Sequence, residues 1–228
     1  MRRSREQAAA TRASIVAVAA RLFRARGIDA TSVADVMSAL GLTVGGFYRH
    51  FDSKQALVTE AIDAASRETT DSHLTKSRSA EGGKTAALLS LLERYLSDGH
   101  RQHPGQGCPV AALCSEVGHG SKQTKKAFTG AINRLLTTVE AAIGHDPRAD
   151  RETALFAASA AVGALVLARA THDESLARDL LSSVRKRLLA TNDVVTRRPE
   201  GSGQDLRVAG VKLTQPRLVR RRRARLRT

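Results

Sequence analysis

Between Ser32 and Phe51 the chain carries two short runs of helical spacing separated by a glycine. Ser32 and Asp35 form an S-x-x-D pattern that opens a helix, and Val33, Val36 and Leu40 fall on one face of it. Gly41 supplies the left-handed backbone that ends a helix and lets the chain turn sharply. Leu42 is then expected in the core and Thr43 at the cap of a second short helix, over roughly Val44 to His50. Phe47 and Phe51, four residues apart, anchor that helix from beneath. Its other face presents Thr43, Val44, Gly45, Tyr48 and Arg49. A helix held at an angle by such a turn can enter the major groove of DNA.

The rest of the chain also reads as helix, because proline is scarce and no β-branched run alternates with period two. A first helix is expected from about Ala8 to Arg26, with Ile15, Val18, Ala19, Leu22 and Phe23 inward and Gly27 as its stop. Asp52 to Gln55 resembles a capping box opening a longer helix that carries Leu57, Ala61, Ile62 and Ala65. Residues 69–83 are polar and read as a hinge or a fraying end. Lys84 to Arg101 reads as one amphipathic helix with Leu88, Leu89, Leu92, Tyr95 and Leu96 inward, followed by a loop over His103 to Gly107. Pro109 suits the first position of the next helix. Long helices are expected over Ser121–Ile143, Arg151–Ala170 and Glu174–Ala190. The fold class is therefore all-α. A three-helix DNA-binding domain over 1–55 would precede a larger helical domain over 56–194 and a basic, aperiodic tail over 195–228. Phe23, Phe47, Tyr48 and Phe51 give the small first domain the large side chains that so short a core needs.

A formal charge of +15 points to a polyanionic partner, but its distribution matters. Residues 197–228 hold eleven Lys and Arg against two acids, so the folded part is only mildly basic. Seven arginines between Arg217 and Arg227 read either as non-specific attraction to nucleic acid or as a passive extension. Two cysteines make no disulfide framework and suit a reducing cytoplasm. No secretory h-region follows the basic N-terminus. The apolar run between Glu152 and Arg169 is expected to be a buried helix, short of the roughly 18–20 residues of a membrane span. No metal spacing, Ser/His/Asp set, paired carboxylates or phosphate loop supports an enzyme, a metal site or a cofactor.

Phe23, Gly27, Thr31-Ser32-Val33, Gly41-Leu42-Thr43, Gly46-Phe47-Tyr48-Arg49-His50-Phe51, Ser53-Lys54 and Leu57 together resemble the tetracycline-repressor (TetR) family of bacterial regulators over residues 10–60. The resemblance implies that Thr43 and Tyr48 touch phosphates or base edges. It implies that His50 and Lys54 hold the DNA backbone, and that Thr31 or Ser32 meets phosphate at the first short helix. Gly45 and Gly46 would allow close approach while reading little. Met37 stands where a small alanine is usual, which would alter the spacing of the two helices. Arg2, Arg3, Arg5 and Arg12 form a basic lead-in, either an arm on DNA or a solvated terminus.

The resemblance further implies a helical ligand sensor and dimeriser in the second domain. The partners would be double-stranded DNA with a palindromic operator, a small-molecule inducer and a second copy of the chain. Ala154, Ala157, Ala158, Ala161 and Val162, with Leu180, Leu181, Val184 and Leu188, are the expected dimer face, the alternative being internal core. Leu92, Tyr95, Leu96, Val110, Leu113, Phe128, Ile132 and Phe156 are the expected lining of an inducer cavity, the alternative again being core. Cys108, in a Gly-Cys-Pro string, would sit at a helix start where the dipole favours a thiolate, with His100, Arg101 and His103 near in sequence. It is either an electrophile or oxidant sensor or an inert filler. An activator or nucleoid-type binder without an effector, and an RNA-associated protein, are the other readings.

Overall fold

The computed structural model describes residues 5–78, 83–143 and 147–196. The basic tail beyond Thr196, and Arg2 and Arg3 of the lead-in, lie outside these residues. The described chain is helical, without strands: α1 Arg5–Arg26, α2 Val33–Ser38, α3 Val44–Phe47, α4 Lys54–Arg78, α5 Gly83–Tyr95 and α6 Asp98–Gln102. A 3₁₀ turn over Pro104–Gln106 follows, then α7 Pro109–His119, α8 Lys122–Ile143, α9 Pro147–Ala170 and α10 Glu174–Thr196.

α4 is the spine. It packs against α1, α5, α7 and, most extensively, α8. Leu57, Val58, Ala61, Ile62 and Ala65 are buried along it, on the i, i+3/i+4 stripe. The helix runs on to Arg78, into the polar stretch over 69–83 expected to be a hinge or a fraying end. Thr69 and Thr70 return their hydroxyl protons to the carbonyls of Ala65 and Ser66, at 2.8 and 2.9 Å, so these polar side chains need no break in the helix. The cap of α4 also falls one residue later than Asp52: Ser53 Oγ accepts from Ala56 N at 3.1 Å. The expected single helix over 84–101 is two. Ser97 ends the first and caps the second, accepting from His100 N at 3.1 Å. Leu91 is buried on α5, whereas Leu89 is exposed.

α9 corrects two expectations. Residues 151–170 are long and apolar enough to cross a membrane by length and composition, with a mean hydropathy of 1.7. Within the chain, however, Ala154, Ala157, Ala158 and Ala161 are buried, and α9 packs on α10, α8 and α7. The small-residue face brings helices together inside one chain and is not an outward dimer face. The outward face of α9 carries Leu155, Phe156 and Leu167 instead.

Candidate nucleic-acid interface

Two positive-φ glycines frame the N-terminal helices, Gly27 at 95° after α1 and Gly41 at 65° between α2 and α3. These are backbone states that side chains disfavour. Ser32 caps α2 with a reciprocal box. Its Oγ accepts from Asp35 N at 3.1 Å, and the Asp35 carboxylate accepts from Ser32 N at 2.7 Å and from the Ser32 hydroxyl at 2.6 Å. Those Ser32 bonds hold the Asp35 carboxyl below its ordinary range. Thr31 is fully buried and gives its hydroxyl proton to Gly27 O at 2.7 Å. Neither side chain is thus placed as a free phosphate donor: Thr31 fastens the turn, and Ser32 is committed to its cap.

α3 is presented differently. Phe47 is fully buried, stacked on Phe51 at 5.3 Å between centroids and edge-on to Tyr48 at 5.2 Å. Above it Thr43, Val44, Gly45, Tyr48 and Arg49 are exposed, Tyr48 to 64%. Thr43 occupies the N-cap of α3 but makes no side-chain cap bond. His50 and Lys54 are half-buried at the edge of this surface. A Cβ added to Gly45 would meet nothing within 4 Å, so the fold does not demand glycine there. At Gly46 an added Cβ would lie 3.7 Å from both Met37 Cε and Thr43 Oγ1. Met37 is fully buried, so the large residue on α2 fills the space beside the bare backbone of α3.

Arg12 is not a free arm. It pairs with Glu60, lies 4.3 Å over the Phe51 ring and donates to His50 O at 3.3 Å. It joins α1 and α4 to the end of the recognition segment, and Glu60 pushes its pKa up.

The helices match the family description "Bacterial regulatory proteins, tetR family" over residues 15–61. An uncharacterized HTH-type transcriptional regulator of Mycobacterium tuberculosis is 30% identical over 173 residues, 71% of this chain and 86% of that protein. The chain belongs to the TetR family. The HTH-type transcriptional regulator TtgR of Pseudomonas putida is 40% identical over 81 residues, a match spanning 36% of this chain and only 38% of TtgR. A TetR-family regulator from Cytophaga hutchinsonii superposes with a TM-score of 0.70 at 21% identity, covering 83% of this chain and 98% of that one.

Two side chains, Glu116 and Arg24, also tie this TetR chain's N-terminal helices to the rest of the molecule, and sequence reasoning missed both. Glu116 on α7 accepts from Ile28 N at 2.7 Å and Asp29 N at 3.0 Å, in the turn that leads into α2. Arg24 on α1 is 4% exposed and reaches Gly107 O at 2.9 Å and Glu68 at 2.8 Å. A basic residue near a helix end ordinarily reads as a dipole partner, so Arg24 sent no signal of burial.

Most of the expected inducer lining is packed in the core. Leu92, Tyr95, Leu96, Leu113 and Phe128 are packed core, Ile132 is half-buried, and Phe156 is 56% exposed on the outer face of α9. Val110 is buried beside a crevice of about 10 Å³. Of the expected residues only Cys108 borders the cavity of about 560 Å³ that lies among α4, α5, α6 and the start of α7.

Proposed function

We propose that this chain is a homodimeric, cytoplasmic repressor that binds a palindromic operator and is released by a small molecule. The observation that carries this reading is the exposed face of α3, with Thr43, Val44, Tyr48 and Arg49 outward over a buried Phe47–Phe51 anchor. His50 and Lys54, half-buried close by in the chain, are the residues this reading assigns to backbone phosphates. One such helix makes few contacts, and a two-fold pair reads half-sites about 34–36 Å apart. The uncovered Leu155, Phe156 and Leu167 on α9, with Leu176 on α10, supply an apolar surface for the second copy. The division into a DNA-binding segment over 1–55 and a sensing segment over 56–194 suits this reading, with Arg24 and Glu116 as its joints.

Selection from a random duplex pool tests it. An enriched palindrome is the expected result, and no enrichment would overturn specific dimeric binding. Tyr48→Ala should then weaken binding to the selected duplex at least about tenfold, roughly 1.4 kcal/mol. Its cost in stability should be only about 0.5–1.5 kcal/mol, the lost edge contact with Phe47. Fluorescence anisotropy and urea denaturation measure the two. Unchanged affinity would remove Tyr48 from the interface.

One arrangement favours a second reading, in which an electrophile or oxidant is the releasing agent. Cys108 is buried at the N-cap of α7, with the Tyr95 hydroxyl and the Arg169 guanidinium as its neighbours. Arg169 Nη1 is buried without a hydrogen-bond partner. The three residues near in sequence are occupied elsewhere. The His100 ring accepts from the Cys108 amide at 2.9 Å, Arg101 pairs with Asp98 and Glu174, and His103 Nδ1 bonds Gly99 O. The cation beside the thiol comes from α9. Cys108→Ser should abolish DNA release by N-ethylmaleimide in a mobility-shift assay, and full release from that variant would exclude the thiol.

A further inference from the structure

Between Gly27 and Glu60 most apolar side chains are committed to the fold. Val36, Met37, Phe47 and Phe51 are buried, and Leu40 and Leu42 pack against the core. Of the large apolar side chains in this stretch, Val44 and Tyr48 stay outside, at 43% and 64% exposure. Tyr48 ends in a hydroxyl, which suits polar partners. Val44 has only carbon to offer. A single exposed valine on an ordinary surface needs no explanation. This one stands on the face assigned to DNA, where phosphates are charged and base edges are mostly polar.

The surroundings of Val44 leave it open to close contact. Backbone bonds from Gly46 N to Thr43 O at 3.0 Å, Arg49 N to Gly46 O at 3.3 Å and His50 N to Phe47 O at 2.8 Å keep the segment on a helical path. Val44 and Tyr48 therefore share one row, and Gly45 and Arg49 the next. Gly45 places no side chain beside Val44, and a Cβ added there would meet nothing within 4 Å. Branching at Cβ leaves Val44 few rotamers, so little freedom is lost when it is pressed against a base. Among the base edges of the major groove, the 5-methyl of thymine is the apolar group. Guanine, adenine and cytosine present hydrogen-bonding groups there. Valine against any of these would displace water without replacing its bond.

We infer that Val44 reads a thymine methyl in each half-site of the operator and sets the choice of that base. The inference deepens the operator-binding reading and rests on it. Arg49, exposed in the neighbouring row, carries the guanidinium fork that suits guanine, so the two side chains specify different bases.

Affinity of the full chain is measured by fluorescence anisotropy on the selected duplex. It is measured again on duplexes in which deoxyuridine replaces one thymine of each half-site in turn. Deoxyuridine removes the 5-methyl and keeps the Watson–Crick bonds. At one position the wild-type chain should lose at least about fivefold, the scale of one buried methyl group. Val44→Ala should bind the thymine duplex at least about fivefold more weakly and distinguish it from the deoxyuridine duplex by less than about twofold. Val44→Ser is the second variant, with the same expectation, and circular dichroism confirms that each is folded. A palindrome with no fixed thymine in its half-sites overturns the inference. So does a wild-type loss below about twofold at every replaced thymine. An undiminished penalty in both folded variants overturns it too, because the methyl then acts through another side chain or through DNA shape. Each of those results leaves the operator-binding reading standing, whereas the absence of any enriched palindrome removes that reading and this inference with it.

Discussion

Phe47→Ala is expected to destabilise the chain by about 3–5 kcal/mol, the range for truncating a fully buried phenylalanine. Phe47 has no exposed surface, and its ring joins Phe51 beneath it and Tyr48 beside it. α3 has only the four residues Val44–Phe47, too few to be stable by its own hydrogen bonds. Its position depends on this one anchor and on Met37 filling the gap toward α2. The loss should appear in guanidinium denaturation as a lower midpoint. It should also exceed the cost of Tyr48→Ala, one residue further on, because Tyr48 is 64% exposed. The adjacent pair thus separates two kinds of failure: Phe47 is lost to the fold, and Tyr48 to the surface it presents. A loss below about 1 kcal/mol for Phe47→Ala would mean that the anchor is not the packed core described.

The N-terminal helices were legible because their signals are local. Ser32 with Asp35, Gly41, and Phe47 with Phe51 are all separated by four residues or fewer, and each obeys a rule of caps, turns or helical spacing. What was misread there depended on a partner far along the chain in one case and on burial in the other. Arg12 looks like part of a basic arm until Glu60 is placed against it. Thr31 looks like a phosphate donor, yet its side chain is fully buried and its hydroxyl proton goes to Gly27 O. In the second half the apolar spacing located helices but not space. Alanines at helical spacing fit an internal seam as well as an outward one, and on α9 the seam is internal. A packed core and a cavity lining share one composition, so Leu96, Leu113 and Phe128 could not be told from ligand contacts. The cavity of about 560 Å³ draws its polar lining from α4, α5, α6 and the start of α7 together, a juxtaposition no periodicity encodes.

Glu116→Ala should weaken binding to the selected duplex at least about tenfold, roughly 1.4 kcal/mol, under conditions where the protein is fully folded. The carboxylate accepts from two consecutive amides, Ile28 and Asp29, so it sets the path of the turn between α1 and α2. Its removal leaves the partly buried Ile28 N–H without an acceptor, a stability cost of about 1–3 kcal/mol. Glu116→Gln keeps an acceptor oxygen and should retain most of both properties. Gly27 offers an independent check. Its φ of 95° is unfavourable for alanine, and an added Cβ would lie 2.8 Å from Glu116 Oε1. Gly27→Ala therefore combines backbone strain, about 1–3 kcal/mol, with a clash against this carboxylate. In the Glu116→Ala background only the strain remains. A double-mutant cycle by denaturation should then show a coupling of about 0.5–3 kcal/mol between the two positions. Additive losses would separate Glu116 from the turn. Unchanged DNA affinity in folded Glu116→Ala would leave it a stabilising contact with no part in positioning α2 and α3.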